Sequence, residues 1–441
     1  MRLDDFAIDN CLKCALCNTV CPVLAADPQY PGPKRLGPEF ERLRREGIST
    51  DTEWMEYCLG CHRCDLVCPH QVNASEMIAR AKAEHRKPLV RGLRDWWFAR
   101  PGLLGKLTTI LPALSNLALA VKPARFLMSK LMQIAPQRSF PKYTRPDLCS
   151  SARAASTSAK TARQRVVFFP GCFIRYNRPE LGRVVIDLLE RNGLSVEVAS
   201  SECCGVPALA NGDAAAARSA ARANIRAMAA QIDSGLRIVT ACSSCGHMLK
   251  TAFGGVLESD KKFADAAKKI ANNTFDLAEL LMAQANAGQL DTGFQRTNLL
   301  LAYHAPCHQR SQGIGRPWYH LLRMIPGVTV EDLDAGCCGM SGTYGFKQEK
   351  YPVSMKIGEE LFVSIRAAQP QMVATECATC QMQIEHGTSF KAIHPAEILL
   401  RAYDRTAPDA SRNACSESSK DCSSDLCECG PCRQKPEGRN Y

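Results

Sequence analysis

Eighteen of the 24 cysteines in this 441-residue chain fall into two kinds of motif, and each kind occurs twice. Near the N-terminus Cys11, Cys14, Cys17 and Cys21 precede Pro22, and Cys58, Cys61, Cys64 and Cys68 precede Pro69, both spelling C-x2-C-x2-C-x3-C-P. Further on, Cys172, the doublet Cys203-Cys204-Gly205 and the pair Cys242 and Cys245 are echoed by Cys307, the doublet Cys337-Cys338-Gly339 and the pair Cys377 and Cys380. The second set follows the first at offsets of 134 or 135 residues throughout, so this part of the chain is an internal duplication. Thiols at such fixed spacing must converge on metal centres or pair as disulfides. Disulfide scaffolds are usually short and secreted. A long chain whose first residues include Asp4, Asp5 and Asp9 and no apolar run carries no export signal and reads as one kept in a reducing compartment.

Three closely spaced thiolates cap one face of a cubane, and a fourth, after the turn forced by its proline, crosses to a neighbouring cluster, as in the run of two-cluster ferredoxins. That logic assigns Cys11, Cys14, Cys17 and Cys68 to one [4Fe-4S] cluster and Cys58, Cys61, Cys64 and Cys21 to a second. Zinc needs only paired C-x2-C and leaves the duplicated third and fourth positions without a purpose. Each later repeat holds five cysteines, one more than a tetrahedral zinc or an ordinary cubane uses. Adjacent cysteines do not easily take separate corners of one compact cubane, but they can bridge irons in a more open cluster. The doublet therefore argues for an unusual polynuclear centre.

These repeats resemble the cysteine-rich (CCG) domain found in the B-subunit of heterodisulfide reductase. The whole arrangement is similar to the C-subunit family of anaerobic glycerol-3-phosphate dehydrogenase over roughly residues 6 to 402. The residues that carry the likeness are Asn10 to Cys14, Tyr30 to Lys34, Cys203 to Pro207 with Ala210-Asn211-Gly212, Tyr303 to His308, and Cys338 to Lys347. The resemblance implies one noncubane [4Fe-4S] cluster on Cys172, Cys203, Cys204, Cys242 and Cys245, and a second on Cys307, Cys337, Cys338, Cys377 and Cys380. Some relatives replace one cluster by zinc, and the second repeat is the candidate because Ser341 stands where the motif has proline. It also implies flavoprotein dehydrogenase subunits as electron donors and menaquinone as acceptor. Iron-sulfur subunits of glycolate and lactate oxidases share the architecture.

The formal charge of +11 counts every cysteine as neutral. A [4Fe-4S] core of about 2+ on four or five thiolates carries about −2 or −3, so four clusters remove roughly 10 units. The excess Lys and Arg is thus counter-charge, and a nucleic-acid partner is not expected. No G-x-G-x-x-G follows an expected strand and no P-loop occurs, so the flavin and the organic substrate are expected on a partner. Two rival readings are a thiol/disulfide enzyme acting through its noncubane clusters and a zinc-holding scaffold.

The expected fold is a multidomain α+β and α/β chain: a small helical ferredoxin-like domain (1–90), amphipathic docking helices (91–138), a linker (139–165), two pseudo-symmetric α/β repeats (166–290 and 291–404) and a disordered tail (405–441). In the docking segment Leu103, Leu107, Ile110, Leu111, Leu114, Leu117 and Val121 recur at helical spacing beside Lys106, Lys122, Arg125 and Lys130. Its longest uncharged run, residues 107–121, is too short and polar to span a bilayer. It suits a helix in the membrane interface, at the cytoplasmic face of the inner membrane, or one packed on the protein's own core or on a partner. Each repeat reads strand, helix, strand, helix, strand, with the motif cysteines following strand ends, where open α/β sheets bind ligands. Gly205 and Gly339 either let the backbone approach the cluster or serve as plain turns. His304 and His308 flank Cys307 and could hydrogen-bond cluster sulfurs, assist a quinone, or be structural. Tyr344, Phe346 and Lys347 could line a quinone pocket or close the domain. Cys149 reads as a solvent-facing linker thiol, and Cys415, Cys422, Cys427, Cys429 and Cys432 as a tail that binds zinc or copper or nothing.

Overall fold

A computed structural model describes residues 8–48, 53–84, 88–145 and 164–404. Cys149, the five tail cysteines and the segment 405–441 lie outside the described residues.

Among the described residues 8–48 and 53–84 the only regular elements are helices, most of them single turns that start beside a cysteine: Leu16–Thr19, Pro22–Ala26 and Arg63–Leu66, with a longer helix at Ala74–Glu84. Pro22 supplies the first residue of its helix, where a missing N–H costs nothing. Tyr30, Leu36, Phe40, Met55, Leu59 and Ile78 form the core of this module, and Cys337, Tyr344 and Ile357 of the second repeat pack into the same cluster. The module is therefore built against the second repeat rather than beside it.

Four helices follow, at Leu89–Phe98, Pro101–Thr108, Pro112–Ala120 and Lys122–Met132, the last three with proline in the first turn. The first is pinned by Arg94, 1% exposed, which reaches Asp95, Glu349 and the Gln133 carbonyl at 2.7–3.1 Å. The second lies against the first repeat, with Gly105 facing the Tyr176 ring so closely that a Cβ would stand 2.4 Å from it. Beyond them, residues 139–145 run along both repeats: Phe140 stacks on Phe346 at 4.9 Å and the Thr144 N–H donates to the Tyr176 carbonyl.

Each repeat is a four-stranded parallel sheet. The first comprises β1 (Gln164–Phe168), β2 (Leu194–Val198), β3 (Arg237–Thr240) and β4 (Thr274–Asp276) in the order β2-β1-β3-β4. The second comprises β5 (Leu299–Tyr303), β6 (Val328–Asp332), β7 (Met372–Ala374) and β8 (Ala392–Ile393) in the order β6-β5-β7-β8. Three strands per repeat are legible from sequence; β4 and β8, of three and two residues, are too short for a periodic signal. The last helix of each repeat packs against the first long helix of the other: Pro395–Arg401 on Pro179–Arg191, and Leu277–Asn286 on Pro317–Arg323. Their apolar faces make one core shared by both repeats, including Leu188, Leu189, Leu281, Trp318, Leu322 and Leu399. The duplication is thus a pseudo-twofold dimer within one chain.

Candidate iron-sulfur centres

The two N-terminal runs lie 47 residues apart and fold alike. Lys13 and Gly60, and Ala15 and His62, occupy matching positions between the cysteines, and all four have left-handed φ of 58–64°. This local geometry curls each C-x2-C-x2-C loop so that its thiols face one point. Cys21, Cys58, Cys61 and Cys64 line one small cavity with Tyr30, Leu59 and Ile78. Cys11, Cys14, Cys17 and Cys68 line a second with Pro38 and Val72, and Cys64 borders this one too. The fourth cysteine of each run therefore sits with the first three of the other. Backbone N–H groups of Gly60 and Val72 point at the Cys58 and Cys68 sulfurs at 3.5 and 3.4 Å, donors that suit thiolate or cluster sulfur. Burial pushes the Cys21 thiol up to about 11 and raises Cys61 and Cys64 as well. Such thiols ionise only when a metal centre supplies compensating positive charge.

In the repeats the five sulfurs form a linear chain of neighbours, the same in both copies. In the first, Cys172 meets Cys203, Cys203 meets Cys204, Cys204 meets Cys245 and Cys245 meets Cys242. In the second the order is Cys307, Cys337, Cys338, Cys380, Cys377, with Cys338 and Cys380 sulfurs 3.2 Å apart. The doublet is the centre of each chain and joins the cysteine after the first strand to the C-x2-C after the third. Hydrogen bonds from Cys203 and Cys245 hold Cys204 at about 6 despite burial, and one from Cys380 holds Cys377 at about 6. All eighteen motif cysteines are free thiols. Five sulfurs strung through a doublet fit an open multi-iron centre better than one tetrahedral ion.

Gly339, at φ +83°, lets the backbone approach a thiol as expected: its N–H points at the Cys337 sulfur at 3.4 Å. Its open side also faces the Ser354 carbonyl, where a Cβ would stand 2.1 Å away, so it serves helix packing as well. Gly171 admits a sulfur too, since its Cβ would stand 2.8 Å from the Cys245 Sγ.

Three histidines meet where the N-terminal module touches both repeats. His62 follows Cys61, His247 follows Cys245 by two residues and His308 follows Cys307; the ring centroids of His247 lie 4.3 Å from His62 and 4.7 Å from His308. Asp65 and Ser75 contact His62 Nδ1, Ser311 Oγ lies 2.9 Å from His247 Nδ1, and His308 links Ser244 to the Gly60 carbonyl. Burial lowers His308 to about 4 and lowers His247 further, so both rings are neutral at physiological pH. The signal for this cluster was in the sequence, a histidine within two residues of a cysteine in three motifs, but only the fold brings the three together.

These histidines line one side of a cavity of about 620 Å³ with mostly apolar walls that include Phe98, Pro101, Leu104, Phe140, Phe173, Met248 and Phe346. Cys172, Cys204, Cys242 and Cys245 of the first repeat border it, as do Cys377 of the second and Cys58 of the N-terminal module. Of the residues after the second doublet, Phe346 reaches this cavity, Tyr344 is buried against the N-terminal module, and Lys347 pairs with Asp95 at 2.9 Å.

Comparison with known proteins gives matches along the whole described architecture. Residues 7–72 match the 4Fe-4S dicluster domain family, and residues 166–250 and 301–385 each match the cysteine-rich domain family. The C-subunit of anaerobic glycerol-3-phosphate dehydrogenase from Escherichia coli K12 is 35% identical over 408 residues, 91% of this chain and 100% of the relative. The glycolate oxidase iron-sulfur subunit of the same organism is 25% identical over 91% of this chain and 95% of its own length. The B-subunit of fumarate reductase (CoM/CoB) from Methanothermobacter marburgensis is 23% identical over 90% of this chain and 71% of its own.

Proposed function

Since the chain belongs to the C-subunit family of anaerobic glycerol-3-phosphate dehydrogenase, an iron-sulfur family, we propose that it carries electrons from a partner flavoprotein that oxidises glycerol 3-phosphate to menaquinone in the membrane. Cys11, Cys14, Cys17 and Cys68 hold one [4Fe-4S] cubane, and Cys21, Cys58, Cys61 and Cys64 the other. The two five-cysteine sets hold noncubane clusters. These groups supply one-electron redox chemistry when bound; the chain's part is to space them, exclude water and present the acceptor.

The observation that carries this reading is the continuity of the thiols. Cys64 borders both N-terminal cavities. Cys61 lies near enough to Cys337 for the charge there to raise its thiol pKa, and near enough to Cys307 to raise that thiol in turn. The second repeat shares its core with the first. An electron entering at the N-terminal module thus has neighbouring centres as far as the repeats. The apolar cavity beside them suits a quinone ring, with the three histidines as its polar wall.

The acceptor side faces a membrane in this reading. Fourteen of the twenty exposed large apolar side chains among the described residues lie between Leu89 and Leu131, interleaved with Lys106, Lys122, Arg125 and Lys130. No single described helix is long and apolar enough to cross a bilayer, and Pro101–Thr108 and Pro112–Ala120 bend by 112°. A basic, apolar hairpin suits peripheral seating on the anionic cytoplasmic leaflet. Its inner residues Phe98, Pro101 and Leu104 are cavity walls, which gives a quinone a short way in. The glycolate oxidase relative makes a 2-hydroxyacid oxidase the second candidate for the donor.

Cys61→Ala tests the proposal in the complex reconstituted with the flavoprotein. Quinone reduction should fall to background while dye reduction by the flavoprotein persists. Retention of quinone reduction with unchanged iron content would refute the wire.

A further inference from the structure

The two repeats are not chemically equivalent, and one difference between them is a buried side chain. Position 304 follows β5 as position 169 follows β1, 135 residues apart, the spacing that separates Cys172 from Cys307. The backbones match: the Phe169 N–H donates to the Val239 carbonyl at 2.8 Å and the His304 N–H to the Ala374 carbonyl at 3.0 Å, each joining the first strand to the third. In the first repeat the site holds a fully buried phenyl ring; in the second it holds an imidazole that is 2% exposed.

That imidazole has an unmet need. His304 Nδ1 is buried without a hydrogen-bond partner, and a buried unpartnered polar atom is costly. One ring nitrogen of His304, the Cys338 sulfur and the Cys380 sulfur all lie within 4.8 Å of one another. The other histidine beside Cys307 is not free for this role, because His308 is occupied by Ser244 at 2.9 Å and donates from Nε2 to the Gly60 carbonyl at 3.1 Å. The approach of the first cysteine differs as well. Gly171, at φ +68°, opens the short helix that carries Cys172, whereas Pro306 precedes the helix that begins at Cys307.

We propose that His304 donates an N–H hydrogen bond to sulfur of the iron-sulfur centre in the second repeat, and that this makes it the more readily reduced of the two repeat centres. A donor to cluster sulfur stabilises the reduced state, which carries one more negative charge, and so raises the potential. Phe169 offers no such donor to the first centre. The second repeat is also the one packed against the N-terminal cubane module, so the electron arriving from Cys61's cluster meets the higher-potential centre first. The inference rests on the proposed cluster in the second repeat.

The test uses the full chain, purified and reconstituted anaerobically, with an EPR-monitored redox titration, iron and zinc analysis, and pulsed EPR after exchange into deuterated water. His304→Phe gives the second repeat the residue of the first; it should lower the potential of one centre and remove one exchangeable-deuteron coupling at unchanged iron content. Phe169→His should shift the other centre upward. Should His304→Phe lose iron, Phe169→His and the donor-retaining His304→Gln decide, the latter being expected to stay nearer the parent potential. Potentials and couplings that ignore all three substitutions overturn the role of His304 while leaving the cluster assignment intact. Stoichiometric zinc in place of a second-repeat EPR signal overturns both.

Discussion

At Ser341 the backbone takes φ +38°, and the hydroxyl donates to the Leu59 carbonyl of the N-terminal module at 2.6 Å. Proline, locked near −65°, cannot adopt that φ. The residue that departs from the motif is therefore a docking contact between the second repeat and the N-terminal module. Ser341→Ala should cost about 1 kcal/mol, the net worth of one hydrogen bond. Ser341→Pro adds backbone strain of about 1–3 kcal/mol. Denaturant unfolding measures both, and magnetic coupling between the Cys61 cluster and the second-repeat centre should weaken in the proline variant first.

Among the elements, the helix Leu89–Phe98 is held largely by charge: Leu89, Val90 and Leu93 face out, Arg94 and Asp95 are buried against Glu349 and Lys347, and Phe98 alone packs into an apolar core. Removing one member leaves the others uncompensated, so Arg94→Met should destabilise by about 3–5 kcal/mol in chemical unfolding. Burial pushes the Glu349 carboxyl up, but the hydrogen bonds and charge of Arg94 outweigh it and hold the group below its ordinary value. The stability from that pairing is present above the unfolded-state pKa of about 4.3 and is lost as pH falls through the lower folded value. The acid limb of the stability–pH curve should flatten in Arg94→Met. The next helix depends on Gly105. A leucine there meets the Tyr176 ring and must lift Pro101–Thr108 off the first repeat, which hydrogen exchange would report as faster amides at residues 101–108. For the hairpin tip, Leu114→Glu with Leu117→Glu should abolish flotation with anionic vesicles and leave iron content alone. Unchanged flotation would point to a protein partner for this face.

For the whole molecule, four clusters predict roughly 16 irons per chain after anaerobic purification, and roughly eight with zinc would confine redox chemistry to the N-terminal module. Iron removal should act unevenly. The described residues of the N-terminal module, 8–48 and 53–84, form helices of at most 11 residues around thiol-lined cavities, too short to persist alone, so metal binding adds to a small apolar core as a main source of their folding energy. The repeats are built on four-stranded sheets and a shared apolar core that do not run through the thiols, so they should survive metal removal. Hydrogen exchange on chelated protein should show residues 8–84 unprotected and β1, β3, β5 and β7 still protected.

The sequence alone determined the cysteine sets, the duplication and the strands that deliver the ligands, because these depend on spacing and local periodicity. The strand β5 appears at Leu299–Tyr303 as read, and the crossing of Cys21 and Cys68 between runs is mirrored in the two cavities. Only the tertiary structure decided which centres are neighbours. Nothing near Cys61 in the sequence names Cys337, and nothing at His62 names His247 and His308, since those meetings depend on how the N-terminal module and the two repeats pack together. It also separated two histidines that the sequence left alike, His308 spent on Ser244 and Gly60, His304 buried with Nδ1 unpartnered and with one ring nitrogen within 4.8 Å of the Cys338 and Cys380 sulfurs. Local spacing fixes which atoms can bind a metal; long-range packing fixes what surrounds them, and it is the surroundings that set the path and potential of an electron.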